Sequence, residues 1–107
     1  MTNNRLEQLK TFLQEEPNDP FLQYSMALEY LKLDEDQEAL KVFENLMKEQ
    51  PDYLPTYYHL GKLYEKLLNT EEAIRTYEIG ILLARKQNNS RTLRELNEAL
   101  NNLRFEG

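Results

Sequence analysis

The sequence predicts an all-α fold of six helices, laid out as antiparallel pairs along a solenoid. Three observations carry this. Apolar residues recur at spacings of three and four, and nothing alternates with period two for long. The four prolines stand at 17, 20, 51 and 55, and glycine occurs three times, which leaves long stretches free to be helical. The chain also matches itself when shifted by 34 residues, Tyr30 falling on Tyr64, Ala39 on Ala73 and Glu44 on Glu78.

Taken in order, Leu6, Leu9, Phe12 and Leu13 form one helical stripe over 3–16, which Pro17 stops by pushing its predecessor out of the helical region. Asp19 caps the next helix, 20–33, with Pro20 at its first position. Its apolar residues, from Phe21 to Leu33, lie on more than one face, so it contacts neighbours on both sides. Asp34-Glu35-Asp36 contains no glycine for the sharp bend of a calcium loop. It reads as a turn in which Asp36 caps a helix over 36–49 and Glu38 complements its dipole. A fourth helix, 54–67, opens at Pro55 and carries Tyr57, Leu60, Gly61, Leu63, Tyr64, Leu67 and Leu68. Thr70 caps the fifth, 70–86, with Ala73, Ile74, Tyr77, Ile81, Leu82 and Ala84 along it. After a polar break, Thr92-x-x-Glu95 reads as a capping box for a sixth helix, 91–104, whose Leu93, Leu96, Leu100 and Leu103 make one narrow seam. Arg94, Glu95, Glu98, Asn101 and Asn102 face away, as on a helix that closes a stack.

Gly61 lies inside a helix, where glycine costs ~1 kcal/mol against alanine. With Ala27, Ala39 and Ala73 it marks the places where paired helices cross most closely. Overpacking at such a crossing typically costs ~1–3 kcal/mol.

Composition excludes several classes of function. There is no cysteine, hence no disulfide framework and no thiolate metal site. The N-terminus, MTNNRLEQLK, lacks the apolar core of a signal peptide, and no apolar run reaches membrane-span length, so a cytoplasmic protein is expected and the Asn88-Asn89-Ser90 acceptor triplet is coincidental. A net charge of −6 disfavours nucleic acid and anionic lipid as partners. His59 is the single histidine, and no spacing joins it to a nucleophile or a second metal ligand. No glycine-rich loop cradles phosphate, and the carboxylate pairs sit at helix ends. Neither an enzyme nor a cofactor is expected.

The period and residue types together resemble the tetratricopeptide repeat. The better copy reads Tyr57-x-x-Leu60-Gly61-x-x-Tyr64 followed by Ala73-x-x-x-Tyr77, and the other reads Met26-Ala27-x-x-Tyr30, Ala39-x-x-x-Phe43 and Pro51. The resemblance divides a single domain into a half-repeat helix (1–17), two repeats (18–51 and 52–87) and a capping helix (88–107), and implies a right-handed α-solenoid. The sequence departs from the family pattern at Gln23, where the first aromatic stands, at Gly80, where alanine is usual, and at Arg85, where the closing proline would be. Without that proline the fifth helix is expected to run longer and end the array.

In that family the first helix of each pair lines a concave groove that receives an extended peptide or a partner's helix. The resemblance implies a groove face of Phe21, Tyr24, Leu28, Leu31 and Lys32 on one helix and Tyr58, His59, Lys62, Glu65 and Lys66 on the next. Members that clamp a C-terminal carboxylate use matched Lys and Asn residues there. Lys62 and Lys66 are present, but neither helix carries an asparagine, which argues against that mode. The expected function is a protein-interaction scaffold, with Tyr24 and Tyr58 anchoring a partner segment and Lys62 and Lys66 meeting its acidic groups. The alternative is a self-associating module, a homodimer whose groove is filled by its own kind.

Overall fold

Six α-helices and no strand make up the described residues, 4–106, of the computed structural model: α1 (Asn4–Glu15), α2 (Pro20–Lys32), α3 (Asp36–Glu49), α4 (Pro55–Lys66), α5 (Thr70–Lys86) and α6 (Ser90–Glu106). Each lies within two residues of its expected bounds. The expected starting residue of the first helix, Asn3, falls outside the described residues. The described chain forms two compact units, one ending at Tyr53 and the other beginning at Leu54.

In the first unit α2 packs on α3 and, less extensively, on α1. Its core is Leu9, Ala27, Ala39, Phe43 and Leu46. Asp19 caps α2 as its position predicts, Oδ1 accepting from the Phe21 and Leu22 N–H groups at 2.9 and 3.3 Å. Gln23, where an aromatic would be usual, spends its amide on the preceding loop: Nε2 donates to the Pro17 carbonyl at 2.7 Å. Gln50 Nε2 donates to the Asn18 carbonyl at 2.6 Å, which ties the end of α3 to the same loop. These side-chain donors satisfy carbonyls that no helix can use.

The second unit has the larger core. Along α4 the buried residues Tyr57, Leu60, Gly61 and Tyr64 follow a spacing of three, four and seven, which is one helical stripe. Ala73, Tyr77, Gly80, Ile81 and Ala84 of α5 pack against it. The phenol of Tyr77 is fully buried, and its ring lies flat on Gly61. A Cβ built on Gly61 would stand 2.6 and 2.7 Å from Cδ1 and Cζ of that ring, and nearer still to Cε1. Gly80 has a reason of the same kind. Its Cβ would stand 2.7 Å from Tyr57 Cβ and 3.0 Å from Leu96 Cδ1, so α5 approaches both α4 and α6 there. The glycine that breaks the family pattern is thus a packing requirement of this chain.

Three expected caps shift. Asp36 is the first residue of α3 and not its cap; Glu35 holds that position without a side-chain bond. Asn69, not Thr70, caps α5, its Oδ1 accepting from the Glu72 N–H at 3.4 Å. Asn89 does the same for α6, accepting from Thr92 N–H at 3.0 Å, so Thr92 lies inside the helix and forms no capping box. Asparagine precedes the residue chosen from sequence in both cases, and its longer side chain reaches the free N–H groups.

The turns that close α2, α4 and α5 share one geometry. Asp34, Leu68 and Asn88 have φ of 59, 61 and 57°, the left-handed conformation. In each, the next residue's N–H reaches back to the helix: Glu35 to Tyr30 O, Asn69 to Tyr64 O and Asn89 to Ala84 O, at 2.8, 2.8 and 2.9 Å. These are Schellman closures made without glycine. Leu68, expected on the apolar side of the fourth helix, is therefore at a turn and 88% exposed. Leu82 likewise points out of α5, at 65% exposure.

Candidate functional site

On α4 the stripe that packs inward leaves Tyr58, His59, Lys62 and Lys66 on the other faces. Tyr58 and His59 are half-buried, their rings edge-to-face at 5.5 Å and 90°. Lys62, one turn further on, places Nζ 5.8 Å from the centre of the Tyr58 ring, a cation–π distance. The same Nζ is 3.9 Å from Glu65 Oε2. Glu65 also accepts a hydrogen bond from the Tyr77 hydroxyl. Burial and then that hydrogen bond push the Tyr77 phenol far up, so it stays a donor at all ordinary pH. Burial pulls the His59 imidazole below its ordinary value, and the carboxylate of Glu95 partly opposes this. His59 is accordingly held neutral near pH 7.

The facing wall comes from α6. Glu95, Glu98, Ala99 and Asn102 share one face and, with Tyr58 and Lys62, line a cleft of about 210 Å³. Glu95 and Glu98 are exposed as expected, yet they do more than wet the outside of a closing helix. The inward residues of α6 are Leu96, Ala99, Leu100 and Leu103. Their spacing repeats that of Tyr57, Leu60, Gly61 and Tyr64 on α4. That match was the available signal that α6 is oriented like a first helix of a further pair. It was hidden because the two stripes, Tyr57 to Leu96, stand 39 residues apart, off the 34-residue register.

The remaining expected site residues belong to the first unit. Phe21 is 59% exposed, whereas Leu28 and Leu31 are half-buried. Tyr24, also half-buried, sets its ring against Tyr53 at 5.8 Å and Phe43 at 6.5 Å. It is thus partly engaged in packing α2 on α3. The structure brings Tyr58 and Lys62 to one cleft; His59 packs edge-to-face on Tyr58 without lining it, and Lys66, exposed near the end of α4, does not line it either. Among the described residues no group of His, Asp and Glu could hold a metal ion, and no helix is long and apolar enough to cross a membrane.

The tetratricopeptide repeat model matches residues 54–87. A crystal structure of a tetratricopeptide repeat domain protein from Salinibacter ruber is 48% identical, over 80% of this chain and 97% of that one, with a TM-score of 0.78. The chain belongs to the tetratricopeptide repeat family. A Bordetella parapertussis protein shares the repeat fold at 21% identity, covering 99% of this chain and 91% of its own, with a TM-score of 0.83. So does the TPR2B domain of yeast Sti1, solved in complex with pHsp70, at 15% identity, 95% and 82% coverage and a TM-score of 0.86. No curated protein matches the sequence. Tetratricopeptide repeat domains are in general protein–protein interaction modules without catalytic activity.

Proposed function

We propose that this tetratricopeptide repeat protein is a non-catalytic scaffold that binds a segment of another protein, and that the cleft between α4 and α6 is a seat for it. One observation carries the reading. Tyr58 is a large aromatic left out of the core, half-exposed beside a recess whose other wall offers carboxylates and an amide. Aromatic side chains in partly desolvated recesses are the usual anchors of interfaces. On the first unit, Phe21, Tyr24, Leu28 and Leu31 form a second apolar surface for the same role. The partner seated in the Sti1 structure belongs to that protein; for this chain it supports only the class of ligand.

Selection of displayed peptides on the parent, counter-screened on Tyr58→Ala, tests this. Selected peptides should bind the variant about thirtyfold more weakly or worse, the weight of a ~2 kcal/mol anchor. Equal binding to both would remove the cleft from consideration. The competing reading, self-association, draws on Leu82 and Phe105, which are 65% and 91% exposed. Light scattering at two concentrations decides it, since only a self-associating chain changes mass.

A further inference from the structure

We infer that the α4–α6 cleft accepts a basic side chain, arginine above all, so that the partner segment is one carrying a guanidinium beside an apolar residue. The inference rests on the reading of this cleft as a binding seat and specifies what enters it. It reverses the expectation that lysines on α4 would meet a partner's acidic groups.

The charged residues lining the cleft are one lysine against two glutamates. The lysine is already served: Lys62 lies over the Tyr58 ring and within reach of Glu65. The glutamates are not equally served. Glu95 has Arg91 at 3.8 Å, but that arginine's side chain is 88% exposed and lies outside the cleft. The Glu98 side chain has neither an ion pair nor a hydrogen bond among the described residues. Asn102 stands one turn beyond Glu98 on the same face and adds an amide oxygen. Ala99 between them keeps the floor low, where a larger residue would fill the space.

A carboxylate, an amide oxygen and an aromatic face are three acceptors for positive charge. Guanidinium satisfies all three at once, through its planar fork of N–H donors and its stacking on rings. The Tyr58 ring already receives one cation, the chain's own Lys62. An acidic side chain would enter against Glu95 and Glu98 with only an engaged lysine to meet it. The net charge of −6 adds a long-range pull on basic segments and repels acidic ones.

The test uses three dye-labelled octapeptides that share leucine and tyrosine flanks and differ in one central residue: arginine, glutamine or glutamate. Fluorescence anisotropy is read on the intact protein and on Tyr58→Ala, Glu98→Gln and Glu98→Lys. Glu98 is exposed, so its variants retain the fold, which helical circular dichroism verifies. The parent should bind the arginine peptide about tenfold more tightly than the glutamine one, the worth of one charge-assisted hydrogen bond. Glutamate should bind worst, and the arginine preference should shrink as salt rises. Glu98→Gln should erase most of the preference and Glu98→Lys should reverse it. Nitrogen-detected amide shifts on adding acetyl-arginine amide should cluster at Tyr58, Glu98 and Asn102. If the parent fails to bind the arginine peptide, or prefers glutamate, the inference is overturned. The two readings separate cleanly. Loss of binding in Tyr58→Ala with an unchanged arginine preference in Glu98→Lys keeps the seat and removes the basic specificity. Full binding by Tyr58→Ala removes both.

Discussion

Replacing Gly61 with alanine adds a single methyl group, and helix propensity alone says that it should stabilise α4 by ~1 kcal/mol. The structure says the reverse. The new Cβ would lie 2.6 and 2.7 Å from two atoms of the Tyr77 ring, and closer to a third. Carbon atoms in van der Waals contact sit at roughly 3.5–4.0 Å, so about an ångström must be found. Tyr77 cannot supply it by swinging away. Its ring has no exposed surface, and its hydroxyl donates to Glu65, which is on the same helix as Gly61. The helices must therefore separate, or Tyr77 must leave its rotamer and its hydrogen bond. Overpacking of this kind costs ~1–3 kcal/mol and a lost hydrogen bond about 1 kcal/mol more. Against the propensity gain, a net loss of about 1–3 kcal/mol is expected. Thermal unfolding followed by circular dichroism should show a fall of roughly 4–8 °C for each kcal/mol. In a double-mutant cycle, Gly61→Ala should cost less in a Tyr77→Leu background, because the atoms it strikes are gone. A melting temperature that rises in Gly61→Ala would refute the close-approach argument outright.

Three further outcomes follow from individual residues. Leu68→Gly should stabilise by about 1 kcal/mol, because a left-handed leucine with φ 61° and 88% exposure carries strain without packing; a lower denaturation midpoint would show that the leucine makes a contact of value. Thr56→Val should raise the urea midpoint with an unchanged slope, by about 1–2 kcal/mol, since Thr56 is fully buried and its Oγ1 has no hydrogen-bond partner. A fall in the midpoint would mean that the hydroxyl is satisfied in solution. His59 makes stability depend on pH: burial lowers its folded pKa below 6.5, so the unfolded chain binds the proton first. Stability is then fully present above about pH 6.5 and lost as pH falls from there toward the lowered folded value. Urea midpoints measured between about pH 5 and 7 should slope in the parent and flatten in His59→Gln; parallel slopes would refute the assignment.

Local chemistry was largely legible from residues alone. Prolines at 17, 20, 51 and 55 and stripes such as Leu96-Leu100-Leu103 place all six helices, because helix hydrogen bonds close within four residues and proline ends them by its own ring. Asp19 announced its cap, while Asn69 and Asn89 did not, since each is followed within three residues by a Thr or Ser of similar capping propensity. The left-handed turn at Leu68 carried no signal, because a leucine accepts that conformation only when the Schellman bonds around it compel it.

The candidate site was half legible. Tyr58 and Lys62 could be chosen on α4, but Glu95, Glu98 and Asn102 could not be joined to them. What the sequence determined by itself is the set of helices, their repeat and the family, together with the positions too crowded for side chains, such as Gly61. Those depend on near neighbours and on spacing. Tertiary structure alone decided that the Tyr77 ring covers Gly61, that Tyr57 and Leu96 crowd Gly80, and that a carboxylate of α6 stands across from an aromatic of α4. Such meetings depend on the rotation of one helix against another. An apolar stripe spans a wide arc of the helix surface, so it directs a face inward without selecting which polar side chains end up opposite each other.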